Sequence, residues 1–245
     1  KPDYCHNLVM EDYLQKILTA RAYDVAIETP LEKAKNLTKR LGNQVWLKRE
    51  DLQPVFSFKL RGAFNKMSGL TKKELEKGVV ASSAGNHAQG VALSASYLNC
   101  KAIIVMPITT PKVKINAVKA FGASVILFGE TYDEAYKEAK RISQKDGMTF
   151  IHPFDDPAVI AGQGTIALEI LRELDHPPDA IYVAVGGGGL IAGIGSYIKS
   201  LWPKIEIIGV EPIEASAMKK SLEAGKRVKL NEVGLFADGV AVSEV

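Results

Sequence analysis

Long apolar runs are missing from this sequence. The longest, such as AIIVM (102–106) and AIYVAV (180–185), fall far short of the roughly 20 residues a membrane-spanning helix needs. A surplus of charge is missing too: 31 Lys and Arg stand against 28 Asp and Glu, a net of +3, which argues against nucleic acid or an acidic membrane as partner. Cysteine is scarce. Cys5 and Cys100 lie far apart, match no metal spacing and read as free thiols in a reducing compartment. With four histidines and neither H-E-x-x-H nor C-x-x-C, no metal site is expected. The opening KPDYCHNLVMEDY is mixed rather than apolar, so a targeting peptide is either absent or already removed. There is no repeat and no low-complexity linker.

What is present is a chain of 245 residues, 47% hydrophobic, enough for one large domain or two small ones. In the first sixty residues, Leu8, Tyr13, Leu14, Ile17 and Leu18 share a helical face. QVWLKRED then reads as a short strand with Val45 and Leu47 on one side. From residue 78 the pattern is regular. GVVASS, KAIIVM, SVILF, TFIHPF, AIYVAV and IEIIGVE read as strands or strand leads. NHAQGVALSASYL, PKVKINAVKAF, YDEAYKEAKRISQK, GQGTIALEILREL, GLIAGIGSYIKSL and ASAMKKSLEAG read as the helices between them. Pro111 suits a first helical position. Strands that are nearly continuous apolar runs, alternating with helices, imply an α/β protein with a mostly parallel sheet covered on both faces. The apolar tail LFADGVAVSEV stops without a cap, so the chain is expected to be incomplete at its C-terminus.

Three segments carry chemistry. In SFKLRGA (57–63), Lys59 lies between Phe58 and Leu60. A lysine becomes a nucleophile or base when burial or a neighbouring positive group lowers its pKa, and Arg61 is a candidate for that charge. In SSAGNHAQG (82–90), small residues Ser83, Ala84 and Gly85 lead into a helix whose first amides can hold an anion; an ordinary N-cap by Ser83 or Asn86 is the simpler alternative. In VGGGGL (185–190), four glycines follow a buried strand and suit a phosphate cradle more than a tight turn. A rival reading takes GGGLIA, Gly187 to Ala192, as a dinucleotide-binding G-x-G-x-x-A, with Glu211 as the ribose-binding acid of an oxidoreductase. That rival leaves the first two segments without a role. Together the three ask for a ligand with a phosphate and an aldehyde, which pyridoxal 5'-phosphate supplies.

At LKREDLQPVFSFKLRGA, SSAGNHAQG, HPFDD, GQGTIALEI, VGGGGLIAG and GVEP, nearly the whole chain resembles the tryptophan-synthase-β-like, fold type II, pyridoxal-phosphate enzymes. Among them it looks like the threonine dehydratases (threonine ammonia-lyases), and VGLFADGVAV looks like their biosynthetic type. The resemblance implies Lys59 as the Schiff-base lysine and Phe58 against the cofactor ring. It implies Asn86 on the ring's hydroxyl oxygen, and Gly186, Gly187, Gly188, Gly189 and Leu190 around the phosphate. Ser83, Asn86 and His87 would receive the substrate carboxylate. It implies β-elimination of water from threonine or serine to give a 2-oxo acid and ammonia, a step toward isoleucine. A β-replacement enzyme is the alternative within the family, to which the His87 loop is a poorer match. The resemblance also implies a small mobile domain over 78–156 set on a larger one from 1–77 and 157–245, a homotetramer or homodimer, and a plastid location for a plant form or the cytoplasm otherwise. Two departures stand out. Serine racemases of this fold have serine where this chain has Ala84, so racemisation should be feeble. They also bind a cation near GVEP, where Glu211 is present but Ala217 replaces a carboxylate. The residue facing the pyridine nitrogen would lie beyond residue 245.

Overall fold

The computed structural model describes residues 13–234 and 236–245; Cys5 and Leu8 lie outside them. Residues 13–18 are helical (α1). A short antiparallel pair follows, β1 (Leu31–Lys33) and β2 (Trp46–Lys48), flanking α2 (Lys35–Leu41). β1 and α2 carry no legible signal, being short and largely exposed. Helix α3 (Lys59–Ser68) opens at the lysine itself, with Phe58 as its N-cap.

After α4 (Lys72–Lys77) the regular alternation begins: β3 (Val79–Ser82), α5 (Asn86–Tyr97), β4 (Ala102–Met106), α6 (Lys112–Ala120), β5 (Ser124–Leu127), α7 (Tyr132–Asp146), β6 (Thr149–Phe150), α8 (Pro157–Glu173), β7 (Ala180–Ala184), α9 (Gly189–Leu201), β8 (Glu206–Val210) and α10 (Ala217–Ala224). Local chemistry sets several ends. Thr131 and Glu134 form a capping box at the start of α7, and Gly147 closes it in the left-handed conformation that glycine adopts without strain. Asp156 caps α8 through the amides of Ala158 and Val159, and Pro157 takes its first position. α8 therefore begins well before GQGTIALEI. Pro111 is the N-cap of α6 rather than its first residue, because its ψ of 139° is extended.

Strands β5-β4-β3-β6 form one parallel sheet, and β7-β8 a second parallel pair. In the first sheet, alternate residues face opposite layers. Val79, Ala81, Ile104 and Met106 meet Ala88, Val91 and Ala92 of α5 and Ala63 and Met67 of α3. Val80, Ile103 and Val105 meet Ala135, Ala139 and Ile142 of α7. Each fully buried large aliphatic contributes roughly 1.5–3 kcal/mol, so this double-sided layer is the main stabiliser of its half of the chain. The second pair differs from the expectation of two covered faces: Tyr182 is 70% and Val210 50% exposed. An apolar run shows that a strand can be buried, not what covers it.

α8 packs on α3 and α9 at backbone contact. A side chain at Gly162 would strike the Arg61 carbonyl and Gly62, and one at Gly164 would approach the Gly193 carbonyl. The GQG triplet thus seats the start of the lysine helix on one side and the helix after the glycine loop on the other.

Candidate active site

The order β5-β4-β3-β6 reverses direction beside β3, the first strand of this sheet in sequence. Ligand crevices in parallel sheets open at such a switch, beyond the carboxyl ends of the strands. Two segments leave it: Ser83–Gly85 running into α5, and Ile151–Phe154 running toward α8. Lys59 reaches this place from a third element. Gly90 of α5 lets that helix lie on the Lys59–Leu60 backbone, where any Cβ would come within 3.2 Å.

The Nζ of Lys59 donates to the carbonyl of Pro153 at 2.8 Å and stands 5.5 Å from the centre of the Phe58 ring. The side chain is only partly exposed, and protein surrounds it on most sides. Desolvation lowers its pKa from 10.5 to about 8. The expectation that Arg61 supplies the charge responsible does not hold. Arg61 is 0% exposed and bound by Glu50 and Glu169, with Glu169 also held by Lys48 at 2.8 Å. Burial opposes its charge, and hydrogen bonds to both glutamates outweigh that, so its pKa is raised. Its role is to tie α3 to α8 and to the segment after β2.

Pro153 joins the lysine to the glycine loop. The next residue, Phe154, places its ring against Gly187 and its backbone against Gly189; a Cβ on either glycine would lie 2.3 Å from the ring or 2.6 Å from the Phe154 carbonyl. Gly188 has φ +90, a conformation that favours glycine. The first turn-closing bond of α9 runs from the Ala192 amide to the Gly188 carbonyl at 2.9 Å, leaving the amides before it free for a ligand. Leu190 packs in the same apolar cluster as Phe58.

On the other side of the cleft, α5 begins in the same way. Its first bond runs from Gln89 to the Gly85 carbonyl at 3.3 Å, and the Ser83 hydroxyl turns back to accept from the Gly85 amide at 3.2 Å. Asn86 is exposed. His87 is 3% exposed and bonds through Nε2 to the Ile151 carbonyl at 2.9 Å, so Nε2 carries the proton and Nδ1 is bare, with no partner. Burial, then the Lys59 charge, lowers its pKa from 6.5 to about 3. Its imidazole is therefore neutral and fixed, and its backbone N–H, rather than a charged ring, is what the helix start offers an anion.

The structure thus brings Lys59, Phe58, the glycine loop and the SSAGNH turn together. It adds a segment to which no role was given, His152–Phe154. That segment was visible only as a motif, because its contribution is a carbonyl and a ring placed by tertiary contacts. Glu211 does not stand free for a ribose. Its two carboxylate oxygens accept from the Met218 and Lys219 amides at 2.8 and 2.9 Å, capping α10. Among the described residues no cluster of metal-ligating side chains forms, and no helix is long and apolar enough to cross a membrane.

The family model described as pyridoxal-phosphate dependent enzyme matches residues 23–245. The chain belongs to that family. It is similar to the chloroplastic biosynthetic threonine dehydratase of Arabidopsis thaliana, 61% identical over 234 residues covering 96% of this chain and 40% of that protein. It is 58% identical to a biosynthetic L-threonine dehydratase of Burkholderia multivorans, over 97% of this chain and 48% of the other. Among solved structures, the processed form of threonine deaminase isoform 2 from Solanum lycopersicum superposes with a TM-score of 0.94 at 57% identity, over 96% of this chain and 68% of that one. The chain spans less than half the length of these two curated relatives. As a member of this fold type II family it is an α/β protein built on parallel sheet.

Proposed function

We propose that this chain binds pyridoxal 5'-phosphate through Lys59 and deaminates L-threonine, and L-serine, to a 2-oxo acid and ammonia: 2-oxobutanoate from threonine, a first step toward isoleucine. The single observation that carries the reading is the Lys59 amine. It has a pKa of about 8 and is joined through Pro153 and Phe154 to a loop without side chains. The residues fit the cofactor's two demands. An amine that loses its proton near neutral pH can condense with an aldehyde, and the uncommitted amides before α9 can hold a phosphate. Similarity to threonine dehydratases and to a threonine deaminase supports the substrate.

The roles follow. The amides of Gly186, Gly187, Gly188, Gly189 and Leu190 would hold the phosphate, Phe58 would lie against the ring and Asn86 would bond its hydroxyl oxygen. When bound, the cofactor supplies an electron sink for the α-carbon. The SSAGNH turn orients the substrate carboxylate through Ser83, Asn86 and the His87 amide, so that the α-proton faces Lys59 Nζ. The neutral Lys59 amine takes that proton. Lys59 then gives a proton to the β-hydroxyl, which leaves as water, and the free enamine takes up a water to give ammonia and the 2-oxo acid. Serine lacks one methyl, which a pocket discriminates by only about 1–3 kcal/mol.

The same proposal includes a mobile body over residues 78–156, supported by the way the four-stranded sheet falls wholly within them. It includes a homodimer or homotetramer, and a plastid or cytoplasmic setting according to source, as the chloroplastic and bacterial relatives suggest. The test is borohydride reduction of the purified protein with peptide mapping. A phosphopyridoxyl group on Lys59, together with loss of threonine-dependent ammonia release in Lys59→Ala, is the expected result. Label on another lysine, or near-normal turnover by the variant, overturns it.

A further inference from the structure

His152 is absorbed by none of the roles above, yet it sits at the hinge of the site. Its Nδ1 accepts the Asp155 amide at 2.8 Å and the Phe154 amide at 3.3 Å. A nitrogen that accepts two N–H groups carries no proton, so the ring's proton is on Nε2. The ring is also gripped from three sides, edge-on to Phe154 at 4.7 Å, to Phe150 at 6.1 Å and to Tyr136 of α7 at 6.2 Å between centres. What His152 holds is the turn Pro153–Asp155, and that turn makes two contacts that matter: the Pro153 carbonyl on Lys59 Nζ, and the Phe154 ring on Gly187.

We propose that His152 is a positioning residue that sets the Pro153–Phe154 peptide, and through it both the Lys59 amine and the glycine loop. A side chain accepting from the backbone two and three residues on fixes a turn much as a helix cap does. Here the turn links the amine to the loop that would hold the phosphate. The charged groups around the ring are Asp155, Asp156, Lys140 and Lys59. The first two favour the protonated ring. Burial comes first among the effects opposing them, followed by the two lysines, and the net effect lowers the pKa and keeps Nδ1 free to accept.

The inference rests on the reading of Lys59 as the cofactor's amine, but its test separates the two. Amide hydrogen exchange is followed at Phe154 and Asp155 in the full chain as isolated, beside the pH titration of the cofactor absorbance band. Three proteins are compared: wild type, His152→Asn, which keeps an acceptor at the Nδ1 position, and His152→Phe, which keeps only the ring. Protected amides are expected in wild type and in His152→Asn. In His152→Phe, exchange should quicken by about five- to tenfold and the titration midpoint should move. Restoration of both by asparagine but not phenylalanine distinguishes positioning from simple packing. Unprotected amides in wild type, or a His152→Phe protein with wild-type exchange and titration, overturn the proposal; the wild-type measurement stands even if a variant does not fold. A titrating band that is not attached to Lys59 would sink the cofactor reading alone.

Discussion

Lys59 Nζ and the Pro153 carbonyl meet at 2.8 Å across 94 positions of sequence. That contact joins the helix that begins at the lysine to the segment leaving the last strand of the four-stranded sheet. It gives an amine with little access to water one fixed acceptor, which holds its orientation. It does not offset the loss of hydration, since the pKa still falls.

A buried ammonium should therefore weaken the cofactor-free protein. The folded pKa of about 8 lies below the ordinary 10.5, so at neutral pH folding carries a penalty. That penalty shrinks as pH rises from 8 toward 10.5, where the unfolded chain still holds the proton and the folded one does not. Lys59→Met is expected to raise cofactor-free stability at pH 7 by about 1–3 kcal/mol. Urea unfolding measures this, and a variant less stable than wild type would contradict the burial argument.

Acid should act through His87. Its pKa falls from 6.5 in the unfolded chain to about 3 when folded, so only the unfolded state takes up the proton between those values. Stability should drop as pH falls through that window, by up to about 1.4 kcal/mol per pH unit from this residue. His87→Gln, which keeps a donor for the Ile151 carbonyl, should flatten the slope of the urea midpoint against pH. An unchanged slope would assign the acid sensitivity elsewhere.

Breaking the Arg61 cluster should be costly in a different way. Arg61→Met leaves Glu50 and Glu169 with less compensation in the interior, and Lys48 alone remains on Glu169. A loss of about 3–5 kcal/mol is expected by denaturant unfolding. Because the cluster does not set the Lys59 pKa, the pH dependence of Lys59 labelling in the folded fraction should stay where it was.

The α8–α9 crossing gives the fourth prediction. A methyl on Gly193 would sit 2.4 Å from the Ile160 carbonyl and 2.7 Å from the Gly164 nitrogen, both backbone atoms that cannot swing aside. Gly193→Ala should cost about 1–3 kcal/mol by overpacking, seen as a lowered thermal midpoint. Gly195→Ala, on the same helix with open space around it, should not lower it.

Much of this could be read directly. The alternation from residue 78 onward and the strand-to-helix loops are local, because short-range sterics and backbone hydrogen bonding write them into adjacent residues. The direction in which Arg61 points is not legible, for the opposite reason. Adjacency to Lys59 in sequence says nothing of direction on a helix, where residues two apart point to different sides. Exposure of β7 and β8 was likewise hidden, since a run of apolar residues does not name its neighbours.

The sequence by itself determined the alternating elements from residue 78 onward, their order, the family and the lysine, glycine and asparagine positions at which chemistry is expected. Only the tertiary structure decided that a carbonyl and a phenyl ring from residues 153 and 154 stand between the amine and the loop, that His87 is neutral, and that Arg61 belongs to a buried ion cluster. The reason is physical. Desolvation and hydrogen-bond geometry depend on which distant segments fold over a group, and no residue's neighbours in sequence carry that information.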